Sequence, residues 1–175
     1  MRSLLTGAVA LAVLFAVGCG REALNFNNTI HNHNKKLNDA GKKFGEAIDP
    51  ALKDKEADPT KVEEAYKGVL ATVTTLIKDT TGQKGPESAS GKKLAEGYQK
   101  FLQTEKQIIE TEFDKIAKAL TKKEDLKATE GTLKEQIKTL LRKANEKEAH
   151  ALTDLRESQK EFAKEHNLTL KPVTP

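Results

Sequence analysis

His33 and three glutamates, Glu105, Glu112 and Glu148, are the side chains whose type and spacing could do chemistry. Each falls on or beside an apolar stripe that repeats every three or four residues. On a helix, such a position turns toward a neighbouring helix rather than toward water. An imidazole and carboxylates that meet in a bundle seam can hold a metal or a small ligand. The same groups can instead exchange hydrogen bonds and fix the register of the helices, which is the commoner use of polar seam residues. His31 lies two residues earlier and faces another direction on a helix. Glu146 and His150 are four apart and share a face. The surrounding run, Asn25-Phe26-Asn27-Asn28-Thr29-Ile30-His31-Asn32-His33-Asn34, is unusual for a helix because Asn is a poor helix former.

Other chemistries lack their residues. Di-iron bundles use Glu-x-x-His on each of two helices, and that spacing is absent here. There is no His-Glu-x-x-His, no Gly-rich phosphate loop and no Gly-x-Ser-x-Gly elbow. Glu105 and Glu112 would stand about 10 Å apart along one helix face, far for a cooperating acid–base pair. The sequence therefore leads us to expect no enzyme activity, no cofactor and no catalytic residue. Asn27-Asn28-Thr29 and Asn167-Leu168-Thr169 match glycosylation acceptors, and the N-terminal signal gives reason to discount them.

That signal ends at Cys19, the one cysteine of the chain. Arg2 precedes an apolar run from Leu4 to Val17, broken by Thr6 and Gly7, and a polar segment follows. This is the layout of a secretory signal peptide, too short for a spanning helix. Its ending, Ala16-Val17-Gly18-Cys19, resembles the lipobox of bacterial lipoproteins. The resemblance implies cleavage before Cys19 and lipidation of that residue. Residues 1–18 would be the signal peptide, and residues 19–24 a lipidated N-terminus with a short tether. Ala16 departs from the Leu that the family prefers. Gly20 does not resemble the Asp that retains some of these proteins in the inner membrane, so the outer membrane is the expected destination. The competing reading is an uncleaved N-terminal anchor with a structural cysteine. Both readings place the rest of the chain outside the cytoplasm, on a membrane.

The chain has 175 residues, with 30 Lys+Arg against 26 Asp+Glu and a net charge of +4. That small excess, dispersed pairs such as Lys42-Lys43 and Lys92-Lys93, and the lack of Trp argue against a nucleic-acid partner. One cysteine closes no disulfide, so packing must supply stability.

Four amphipathic segments must position these residues. The first stripe is Phe26, Ile30, His33, Leu37, Ala40, Phe44 and Ala47/Ile48, on a helix of about 24 residues that Pro50 should end. The second opens with Asp58 as N-cap and Pro59 at the first helical position, and carries Val62, Tyr66, Val69, Val73, Leu76 and Ile77. A loop over 80–86 follows. The third begins near Ser88 or Ser90 and carries Leu94, Tyr98, Phe101, Glu105, Ile108, Glu112/Phe113, Ile116 and Leu120. Capping boxes at Thr121-x-x-Glu124 and Thr132-x-x-Glu135 leave 122–130 as a short connecting helix or as the first turns of the fourth. The fourth carries Leu133, Ile137, Leu140, Ala144, Glu148, Ala151, Leu155, Ser158/Gln159 and Phe162, and runs to about Asn167.

The expected fold is all-α: an antiparallel bundle over 25–167, with four helices and a long C-terminal hairpin whose arms are each about 50 Å long. Helices one and two should cover part of that hairpin, and 168–175 should form an extended tail. A three-helix arrangement is the competing architecture. The functional expectation is an exported, lipid-anchored bundle acting without catalysis, through an envelope protein partner or as a scaffold. The alternative is an extracytoplasmic binding protein that holds a metal or small ligand through His33 and the seam glutamates.

Overall fold

The computed structural model describes residues 13–14, 21–83, 85–122 and 132–170. Cys19, Glu124 and most of 122–130 lie outside the described residues, as does the end of the tail. The fold is an all-α helical bundle.

Helix α1 spans Arg21–Leu52. It starts ahead of the expected residue 25, inside the segment read as a tether, and it passes through Pro50. A proline so close to a C-terminus removes one intrahelical donor, and Ala51 and Leu52 beyond it are buried. The helix ends instead at Asp54, whose φ of 56° is left-handed. The Lys55 N–H donates to Pro50 O at 2.9 Å and the Asp54 N–H to Ala51 O at 3.3 Å. These are the two reversed bonds of a Schellman cap, with Asp in the place usually taken by Gly.

Helix α2 spans Pro59–Thr80, with Asp58 accepting from the N–H groups of Thr60 and Lys61. A turn containing Gly85 leads to α3, Ala89–Ile108, capped by Ser88 accepting from the Gly91 N–H at 2.9 Å. A Cβ on Gly85 would stand 2.3 Å from Gly91 O, and one on Gly91 2.4 Å from Pro86 O. Only glycines let these two backbone segments meet.

The third rod does not stop at Ile108. A π turn, Ile109–Phe113, carries it on into α4, Asp114–Lys122. Helix α5 spans Leu133–Glu165, with Thr132 as N-cap accepting from the Glu135 N–H. It ends in a second Schellman cap. There Asn167 has φ 52°, the Leu168 N–H donates to Ala163 O at 2.8 Å, and the Leu168 side chain packs on the core. Beyond it, Thr169–Leu170 pairs antiparallel with Val13–Leu14, a two-residue contact.

Helix α3 packs chiefly on α5, and α1 on α2; α2 also lies along α3 and α4, and α1 touches α5. Helix α1 is thus as long as the hairpin arms, not the shorter cover expected. Phe44 stacks on Phe113 with ring centroids 4.7 Å apart, and Phe26 meets Phe162 edge-on at 6.2 Å. These pairs tie α1 to both arms of the C-terminal hairpin.

Phe101 and Leu140 are 5% and 6% exposed. Truncating either to Ala should cost ~2–5 kcal/mol, since the cavity left behind adds to the lost transfer energy. Exposed Lys138→Ala should cost about 0.5 kcal/mol or less. Urea unfolding of the three variants checks this, and similar small losses at all three sites would mean the core is misassigned.

Candidate functional site

The helices bring a set of polar side chains into the apolar interior. Asn27, His33 and Asn34 are buried on α1, Tyr98 and Glu105 on α3, Glu112 in the π turn, and Ser158 and Gln159 on α5. His33 lies across from Tyr98, rings near-parallel at 6.3 Å. Burial lowers the His33 pKa first and Lys36 lowers it further, against an opposing pull from Asp79. Burial raises the Tyr98 pKa, so its phenol stays protonated. Among the described residues, His33 Nδ1, the Tyr98 hydroxyl and both amide atoms of Asn34 have no hydrogen-bond partner.

Glu105 is 2% exposed, and its Oε1 is likewise without a partner. Glu148, partly buried on α5, is its electrostatic neighbour. Burial raises the pKa of Glu105, and the charge of Glu148 raises it further; burial raises that of Glu148 too. Two carboxyls in a low-dielectric seam cannot both ionise cheaply, so the pair retains a proton where an exposed pair would have lost it. Glu112 behaves differently. Burial pushes its pKa up, but hydrogen bonds from Lys147 and Thr111, with the charges of Lys147 and Lys115, bring it below its ordinary value. Lys147 Nζ donates to Glu112 Oε1 at 2.7 Å.

The four residues singled out by sequence therefore divide three ways. Glu105 meets Glu148, Glu112 pairs with a lysine, and His33 stacks on a tyrosine. Among the described residues, no three His, Cys, Asp or Glu come together as a metal site. Sequence reasoning missed Tyr98 and Asn34 as seam partners and Lys147 as the counter-ion of Glu112. It missed the π turn as well. Its signal was the doubled stripe position at Glu112/Phe113, where one added residue lets both side chains face inward.

A second feature lies outside the seam. A groove of about 880 Å³ runs between α1 and α2 on their outer side. Its floor is made of small residues, among them Ala40, Ala65 and Gly68, and its rim is charged with both signs.

No family model, no curated protein and no solved structure matches the chain.

The seam carries a pH dependence with a defined sign. A carboxyl whose pKa is raised on folding stabilises the fold fully below its unfolded value. That stability is lost as pH rises through the folded value. For Glu105 and Glu148 the loss starts near the ordinary glutamate value, about 4.3, and continues upward. The lowered His33 pKa acts oppositely, contributing stability above about 6.5 that is lost as pH falls. Glu105→Gln removes only the first effect. It should raise stability at about pH 8 by ~1–3 kcal/mol while changing it little at about pH 4. Thermal melts of both proteins across that range check it, and parallel pH profiles would show that the carboxyl pair is not coupled to folding.

Proposed function

We propose that the chain is an exported, lipid-anchored helical-bundle protein that acts without catalysis, through contact with an envelope protein or as an envelope scaffold. The observation that carries this reading is Ala16-Val17-Gly18-Cys19 at the end of an apolar run, directly ahead of a long charged helix. In this reading the residues before Cys19 are removed and an acylated Cys19 holds the bundle on the outer membrane. Among the described residues, no helix is long and apolar enough to cross a membrane. The attachment proposed here runs through lipid, and stable anchoring takes more than a single acyl chain.

The contact role draws support from the surface. Exposed charges are bridged along single helices, as in Lys67–Glu63 and Arg142–Glu146, or between α3 and α5, as in Lys93–Glu161 and Lys100–Asp154. The α1–α2 face has bridges along single helices too, as in Lys42–Glu46 and Lys61–Asp58, but among the described residues no ion pair joins α1 to α2, and the groove lies between them.

Cys19→Ser tests the anchor. The substituted protein should leave the membrane fraction or accumulate as uncut precursor, while the unmodified chain partitions into the detergent phase. A Cys19→Ser protein that is processed normally and still partitions into detergent would sink the proposal.

A further inference from the structure

The α1–α2 groove has a charge pattern that, Glu64 excepted, reads with opposite signs in its two directions. On α1 its rim carries Lys36, Asp39, Lys43 and Glu46. Lys36 and Glu46 lie equally far before and after Gly41, and so do Asp39 and Lys43. In each case the two charges are opposite. On α2 the rim carries Lys61 and Asp79, which flank Leu70 equally and are again opposite in sign. Gly68 and Thr72, on the floor, flank Leu70 in the same way. All these charged residues are exposed. No ion pair among the described residues engages Lys36, Asp39, Lys43 or Asp79.

The two centres sit at one level of the hairpin. Helices α1 and α2 are antiparallel, and the connection from Leu52 to Pro59 is short. Stepping back equally from each end brings Gly41 beside Leu70. Asp79 is near enough to His33 for its charge to raise the His33 pKa, which agrees with that register to within one residue farther along. A single axis crossing both helices at this level therefore relates every one of these pairs.

From this geometry we infer that the outer face of α1 and α2 is an isologous interface for a second copy of this chain, stacked antiparallel about a two-fold axis at the level of Gly41 and Leu70. An isologous contact needs a surface complementary to itself. Here Lys36 meets Glu46 of the second copy, Asp39 meets Lys43, and Lys61 meets Asp79, each contact occurring twice. Glu64, level with Glu46, also falls near Lys36 of the second copy. The small floor allows close approach: a Cβ on Gly68 would meet nothing within 4 Å. The lined stretch of α2, from Lys61 to Asp79, is about 27 Å long, and two helices are about 20 Å wide. Stacking would cover roughly 1,100 Å² in total, just under the range of about 1,200–2,000 Å² for stable interfaces and the size of a weak, reversible one.

The inference deepens the proposed contact role by naming one partner, and it does not depend on the lipid anchor. The test uses the full chain in detergent, followed by sedimentation and chemical cross-linking. The chain should be dimeric. Lys43→Glu places like charges together twice and should weaken the dimer about tenfold or more. Asp39→Lys added to Lys43→Glu exchanges the signs and should restore it. Lys100→Glu, outside the groove, should leave the dimer unchanged. A chain that stays monomeric at high micromolar concentration overturns the inference. So does a dimer indifferent to Lys43→Glu, or one that the double substitution fails to restore. None of these failures touches the anchor, which the Cys19→Ser partition experiment reads separately.

Discussion

The seam between α3 and α5 is the constraint on which the other packing depends. Its register is set by small-residue contact and by charge. A Cβ on Gly97 would stand 3.1 Å from Ser158 Oγ, so the helices are close there. Lys93–Glu161 and Lys100–Asp154 lie outside that contact and match the antiparallel direction. Exposed pairs of this kind contribute little energy, so their role is to disfavour wrong registers. The energy comes from residues such as Leu94, Leu102, Leu155 and Phe162, which are almost fully buried. Burying a side chain of this size is worth about 1.5–3 kcal/mol. With this seam in place, α1 and α2 have an apolar surface to close over.

That same seam explains why buried carboxyls are tolerated. An isolated ionised glutamate in the interior would be costly. Glu112 avoids the cost through Lys147, and the Glu105–Glu148 pair lessens it by keeping a proton. The π turn, Ile109–Phe113, follows Glu105 and contains Glu112. An uninterrupted α-helix would drift relative to the seam over its length. The added residue resets the phase, so that Phe113 stacks on Phe44 while Glu112 still reaches Lys147.

Periodicity made the helices legible because burial on one face leaves a repeat of three and four. The stripes of Val62–Ile77 and Leu94–Ile108 follow directly from it, and the Asp58 and Thr132 caps from side chains that can accept the free N–H groups of a helix start. Pro50 misled because a proline's cost depends on where it sits in the helix. Within the last turn it forfeits one bond, and buried Ala51 and Leu52 oppose that loss. The cap at Asp54 gave no glycine to read. For the polar seam, sequence reasoning found the glutamates, but their pairing depends on which residue of α5 faces which residue of α3. A stripe says that Glu148 points inward. Only the register says that it meets Glu105 rather than Glu112.

The two hairpins divide the work between them. On the α3–α5 side, two ion pairs, Lys93–Glu161 and Lys100–Asp154, bridge the two helices within one chain. On the α1–α2 side, the heptad-spaced charges Lys36, Lys43, Asp39 and Glu46 rim a floor too small to fill the space above it. Retaining a self-complementary rim costs little to the single chain and leaves a surface that a second copy completes. In such an antiparallel pair each α1 would begin about 30 Å from the axis, so the two N-termini would emerge about 60 Å apart. With both tethered to one membrane, the helices would have to lie along its surface. A lipid-held pair of bundles would then lie flat rather than stand as a stalk.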